Sequence, residues 1–177
     1  MASSRFRAKV ETINGFAVIR LPTSESTKLP SRGQVSVRGT LNGLPLQTVL
    51  EPDGRSGHWL RVDTRWEAAS RVKAGQTAAL EIEPTKTWPE PTVPADLELA
   101  LASAPEGVRR SWDDITPMAR WEWVRWVNAT RNPETRRRRV GVSIAKLSSG
   151  KRRPCCFDLS ACTDPQVSRN GVLVDPD

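Results

Sequence analysis

The sequence predicts an α+β protein, a small β-barrel followed by a three-helix domain and an irregular tail. Three observations predict it. Residues 5–83 alternate apolar and polar with period two. Residues 84–94, PTKTWPEPTVP, hold four prolines. Beyond them the apolar period becomes helical. A change of period across a proline-rich stretch marks a change of architecture, because proline fixes φ and lacks the amide donor. The expected organisation is a barrel over 1–83, a linker over 84–93, helices over 94–150 and a tail over 151–177.

The strands follow in order. RFRAKVE puts Phe6, Ala8 and Val10 on one face and Arg5, Arg7 and Lys9 on the other; GFAVIRL follows it. GQVSVRGTLNG places Val35 and Val37 inward and ends in Asn42-Gly43. Asn-Gly is a strong hairpin signal, since both central turn residues take positive φ. LPLQTVLEP is the returning strand. GHWLRVD sets Trp59 against Leu60 and Val62, and QTAALEIEP closes the set. Short strands at this spacing point to a small barrel or sandwich. TRWEAASRVKAG is compatible with one helical turn.

The helices have start and stop signals. PADLELALASA puts Leu97 and Leu101 on one face. TPMARWEWVRWVNAT begins with Thr116 as N-cap and Pro117 at the first helical position. NPETRRRRVGVSIAKLSSG repeats the design, with Asn132 as cap, Pro133 first, Glu134 in the first turn and Gly150 as stop. Asp113-Asp114 reads as a helix-end turn rather than a catalytic carboxylate pair.

The chain has 177 residues and a net charge of +7. Residues 1–102 hold 13 basic and 11 acidic side chains, and residues 103–177 hold 14 and 9. The second part is therefore the basic one, a composition that attracts phosphate, anionic lipid or an acidic partner. Its densest runs are Arg136–Arg139 and Lys151-Arg152-Arg153. Four consecutive helical residues cover about 300° of the circumference. The arginine run therefore cannot face one partner. Val140, Ile144 and Leu147 form the apolar stripe, with Arg136 and Arg137 expected beside it and Arg138 and Arg139 pointing away. Arg136 should be the more buried and should pair, with Glu122 as one available carboxylate. The triplet after the helix is freer to bind a partner.

Ala119, Trp123, Val124, Trp126 and Val127 share the core face of the preceding helix. Trp121 falls opposite, beside Met118 and Arg125. A large indole on that side packs on another surface or meets a ligand.

Several chemistries are excluded. A single histidine, His58, rules out zinc sites that need two. Cys155, Cys156 and Cys162 lack a CxxC pair, which leaves no expected metal and no cofactor. Three clustered cysteines suit a reducing compartment. No run is apolar enough to span a membrane, and MASSRFRAKVE lacks the apolar core of a secretory signal. These features place the protein in the cytoplasm. GxSxG, HExxH and GxGxxG are absent, and Gly39 to Gly43 is a hairpin rather than a phosphate loop.

VRGTLNGLPLQTVLEPDGRSGHWLRVD with VKAGQTAALEIE, and PADLELAL with SWDDITPMARWEWVRWVNATRNPETRRRRV and AKLSSGKRRP, resemble the YdeI/OmpD-associated, bacteriocin-protection-like family over nearly the whole chain. Thr130-Arg131 departs from the Ala-Lys that many relatives carry before Glu-Thr-Arg. The resemblance implies a double-split barrel, related in shape to the AbrB and MazE barrels, then a helical domain. It implies no established enzyme activity and suggests protection against cationic peptides or other stress. The reading is a cytosolic binding protein that takes a small molecule or peptide where barrel and helices join. Asn42, His58, Trp59, Trp121, Arg125 and Arg136 are the candidate ligand residues. The alternatives are a nucleic-acid binder using the C-terminal basic part, with Lys151, Arg152 and Arg153 as its patch, and an enzyme with a pocket around His58.

Overall fold

The computed structural model describes residues 3–154 and 162–177. Cys155 and Cys156 lie outside them. The chain divides into two compact units, residues 1–89 with 166–177, and residues 90–165. The division after Pro89 falls within the proline-rich stretch.

The first unit is a closed barrel of six antiparallel strands: β1 (Ser4–Ile13), β2 (Phe16–Arg20), β3 (Val35–Leu41), β4 (Leu44–Pro52), β5 (His58–Arg61) and β6 (Thr77–Pro84). Their order around the barrel is β1-β2-β5-β4-β3-β6. The expected alternation holds: Val10, Val35, Val37, Leu80 and Ile82 are buried, with Phe6 and Ala8 packed against them. Ser36 is also buried, and its hydroxyl donates to the Thr87 carbonyl at 3.0 Å. That bond and Thr85 N–H to Ser36 O at 2.9 Å tie the start of the proline-rich stretch to β3. Two short helices interrupt the strands, α1 (Thr23–Ser26) and α2 (Thr64–Ser70), the latter capped by Asp63.

Asn42-Gly43 makes the β3–β4 turn with φ of 48° and 81°, as read from the sequence. Asn14-Gly15 and Asn170-Gly171 make the same turn elsewhere in the unit. Gly39 has a different role. It pairs with both Leu46 and Ile82, and a Cβ there would sit 1.9 Å from the Glu81 carbonyl oxygen. The close approach of β3 to β6 therefore needs a residue without a side chain.

The tail differs from its sequence reading. Residues 166–177 carry a small hairpin of β7 (Ser168–Arg169) and β8 (Val172–Leu173) and belong to the barrel unit. Val167 and Leu173 are fully buried against Ile13, Val18 and Trp59. Backbone bonds fix the hairpin: Leu173 N–H donates to Asp53 O at 3.0 Å, and Asp177 N–H donates to Thr12 O at 2.9 Å. Strands this short carry too little pattern to register as period two, so composition alone read them as irregular.

The second unit contains α3 (Ala95–Ser103), α4 (Glu106–Asp114), α5 (Pro117–Asn128) and α6 (Pro133–Ser148). That is four helices among the described residues, one more than the sequence reading resolved. α4 places Val108, Trp112 and Ile115 at spacings of four and three, all buried. Thr116 Oγ1 accepts from Ala119 N–H at 3.2 Å, and Asn132 Oδ1 accepts from Glu134 and Thr135 N–H at 2.9 and 3.0 Å. Both expected caps therefore operate, with proline at the first position of each helix. Leu97, Leu101, Trp112, Trp123, Val127 and Leu147 form the core.

Candidate functional site

Three of the sequence-derived candidates lie in the barrel unit. Asn42 is exposed, and its polar atoms are used within the fold. Its N–H donates to Ala79 O, and its Oδ1 accepts from Ala79 N–H, both at 2.8 Å. Trp59 is buried, and its indole N–H donates to Pro52 O at 3.2 Å. His58 is fully buried at the start of β5. These three residues hold strands, turns and core together.

The other three lie in the helical unit. Arg136 is not a solvent-facing ligand group. It donates through Nε and Nη2 to Asp96 at 2.6 and 3.0 Å, and through Nη1 to Asn128 Oδ1 at 2.9 Å. Its partner is Asp96 on α3, not Glu122. Its side chain is 28 % exposed against 72 % for Arg138. Arg139, expected to point away, instead flanks the core: it donates to Trp126 O at 2.6 Å and lies over the Trp126 ring. Arg137, expected beside the stripe, is exposed, as is Arg138. The buried stripe of α6 runs through Val140, Ser143 and Leu147. Arg136, Arg139 and Ser143 sit at spacings of three and four on one face. Ser143 is polar yet fully buried, and its hydroxyl donates to Arg139 O at 2.8 Å, which is how it enters the core.

The Lys151-Arg152-Arg153 triplet is mostly engaged. Arg152 donates to Asp114 Oδ2 at 2.9 Å, and its carbonyl accepts from the Trp123 indole at 3.2 Å. Arg153 pairs with Glu122 at 3.3 Å. The next residue is also gripped, as Lys146 Nζ donates to the Pro154 carbonyl.

This leads to the group that sequence reasoning missed as a site. Glu122 on α5 is only 4 % exposed. Burial pushes its carboxyl above the usual 4.5, while the charges of Arg153 and Arg125 pull the other way. A carboxylate is buried at this cost only when something pairs with it. Arg125 and Trp126 stand one turn along the same helix, at the spacings that face one another on a helix surface. Trp126 meets Trp123 edge to face at 6.3 Å, and the cations of Arg139 and Lys146 lie over its ring at 5.5 and 5.9 Å. Trp121, half-buried, adjoins Glu122 in sequence. The surface of α5 thus brings together a desolvated carboxylate, two guanidinium groups and indole rings. The sequence signal available for it was a lone carboxylate between two tryptophans at positions otherwise given to core.

Among the described residues, no group of His, Cys, Asp and Glu is placed to hold a metal ion. A shallow open depression of about 360 Å3 in the barrel unit is lined by Lys9, Glu11, Thr12, Gly75 and Asp177, among others. It includes none of the candidate ligand residues. No helix is long and apolar enough to cross a membrane among the described residues.

Residues 90–150 match the family described as bacteriocin-protection, YdeI or OmpD-associated. Residues 6–82 match a domain of unknown function, DUF1905. The two matches are separate and follow the order barrel, then helices. No curated protein matches the chain.

Proposed function

Because the chain belongs to the YdeI/OmpD-associated family, with an N-terminal domain of unknown function, we propose that it is a cytoplasmic protective binding protein. It holds a short peptide or a small molecule rather than transforming it. The observation that carries this reading is the match of residues 90–150 to a family described by bacteriocin protection. Support comes from α5, where half-buried Trp121 and Arg125 stand one turn apart and flank the desolvated Glu122 that pairs with Arg153. A peptide brings both charges and apolar side chains, and that mixture suits such a surface.

The rival readings draw less support. The cations that suggested nucleic-acid binding are largely spent on internal carboxylates and carbonyls. Arg136, Arg139, Arg152 and Arg153 all have such partners. His58, the base an enzyme would need, is fully buried.

The test has a cellular and a direct arm. Cells lacking the protein should die at lower doses of a peptide bacteriocin than cells carrying it. The purified full chain should bind that peptide in calorimetry, and Glu122→Gln should weaken binding at least tenfold. Equal killing of both strains, with no heat of binding, would refute the reading. Tight binding to random DNA that falls steeply with salt would favour the nucleic-acid alternative.

A further inference from the structure

His58 is the only histidine in the chain, and neither the family match nor the α5 surface makes use of it. It sits where two connections of the barrel meet. One is 27–34, between α1 and β3. The other is 53–57, between β4 and β5. Its backbone N–H donates to Ser26 Oγ at 3.1 Å, and its carbonyl accepts from Leu21 N–H at 2.9 Å. The Nε2 atom lies 3.0 Å from the Gly33 carbonyl oxygen. A carbonyl only accepts, so Nε2 carries the proton and donates. Nδ1 is then an acceptor. It is buried and has no hydrogen-bond partner among the described residues.

The same carbonyl-rich corner is held from a second side. Arg32 donates to Ser26 O at 3.3 Å, Ser56 O at 3.4 Å and Thr27 O at 3.5 Å. Gln34 donates to Glu51 at 2.8 Å. On the 53–57 connection, Asp53 Oδ1 accepts from Arg55 and Gly57 N–H at 2.7 and 2.8 Å. Leu29 anchors the 27–34 connection in the barrel core.

We propose that His58 is an acid-sensitive latch that holds the 27–34 connection on the barrel and releases it when Nδ1 takes up a proton. A proton on Nδ1 turns a bare acceptor into a second donor, and that atom makes no hydrogen bond among the described residues. It also places a full charge in a fully buried site. The surroundings are mixed: the Gly33 and Ser31 backbone and the Asp53 carboxylate favour the imidazolium, and the Arg32 guanidinium opposes it. Glu25 on α1 is engaged with Lys28 at 2.8 Å, and Glu51 with Gln34. Asp53 already spends one oxygen on two backbone amides. Burial dominates and keeps the imidazole pKa below its ordinary 6.5. The closed corner therefore refuses a proton that the opened corner accepts. Between the depressed value and 6.5, opening takes up one proton, and its equilibrium grows about tenfold for each unit of falling pH.

The experiment is hydrogen–deuterium exchange of the full chain at several pH values, with rates corrected for the chemical exchange of free amides. The imidazole resonances of the single histidine are followed alongside. Amides of 28–34 should lose protection by up to about tenfold per pH unit below 6.5, while amides of β3 and β6 hold theirs. In His58→Gln, whose side-chain amide can still donate to Gly33 O but does not titrate, that loss should vanish. Protection of 28–34 that stays constant from pH 7 to about 5 overturns the proposal. So does a loss of equal size in His58→Gln, or a His58 resonance that titrates at the ordinary value. The wild-type series decides the matter even where the variant fails to fold.

Discussion

Arg136→Ala removes the densest set of polar contacts on α6. The guanidinium makes two bonds to Asp96 and one to Asn128, with Val127 O at 3.4 Å. Hydrogen bonds to charged groups contribute roughly 1.5–3 kcal/mol when buried, but an exposed ion pair contributes only about 0.2–1 kcal/mol. Arg136 is 28 % exposed and Asp96 is 43 % exposed, so the pair lies nearer the second case. The Arg136 side chain is largely buried one turn before Val140, and burial of its methylene stem adds about 1 kcal/mol. The expected loss is therefore roughly 1–3 kcal/mol. Arg138 is 72 % exposed and lies 3.9 Å from Glu134, so Arg138→Ala should cost less than about 0.5 kcal/mol. Urea denaturation of both variants, followed by helical circular dichroism, measures the difference.

The pH dependence has a definite sign. The hydrogen bonds from Arg136 hold the Asp96 carboxyl below its usual 3.8. A depressed carboxylate stabilises the fold above its unfolded pKa and loses that contribution as pH falls through the lowered value. The gap between wild type and Arg136→Ala should therefore narrow below about pH 4. Two variants of equal stability at neutral pH would refute the reasoning, and so would a gap that widens in acid.

Other outcomes follow from the same contacts. Gly39→Ala drives a methyl into Glu81 O and should destabilise the barrel by roughly 3–5 kcal/mol, read by thermal unfolding. Leu173→Ala empties a buried site against Trp59 and should cost about 2–4 kcal/mol, which a loosely attached tail would not show. Glu122 has a raised pKa, so wild type should gain stability as pH falls through the range just above 4.5, and Glu122→Gln should not. Denaturation midpoints across that range, compared between the two proteins, check it.

Local chemistry made much of this protein legible in the sequence. Period-two alternation placed the barrel strands, because successive side chains leave a strand on opposite faces. Thr116 and Asn132 announced the starts of α5 and α6, because an exposed amide at a helix end needs an acceptor within three residues. Asn42-Gly43 fixed a hairpin from two residues alone. Even the arginine run was readable in part, since helical geometry forbids four neighbours from sharing a face.

Partner choice was the part that only the tertiary structure decided. Arg136 was bound to seek a carboxylate, but Glu122 and Asp96 both met that description; the placement of α3 against α6 selected Asp96. Arg139 turned inward because Trp126 offers a free carbonyl and a ring face at that point, and neither lies near it in sequence. The hairpin of residues 168–173 exists because Ile13, Val18 and Trp59, more than a hundred positions earlier, leave an apolar surface for Val167 and Leu173. His58 looked like a reactive base by its residue type. Its burial and the acceptor at Gly33 decide its protonation, and those depend on two connections closing over one point. Residue type and spacing specify what a side chain needs, and long-range packing specifies which group supplies it.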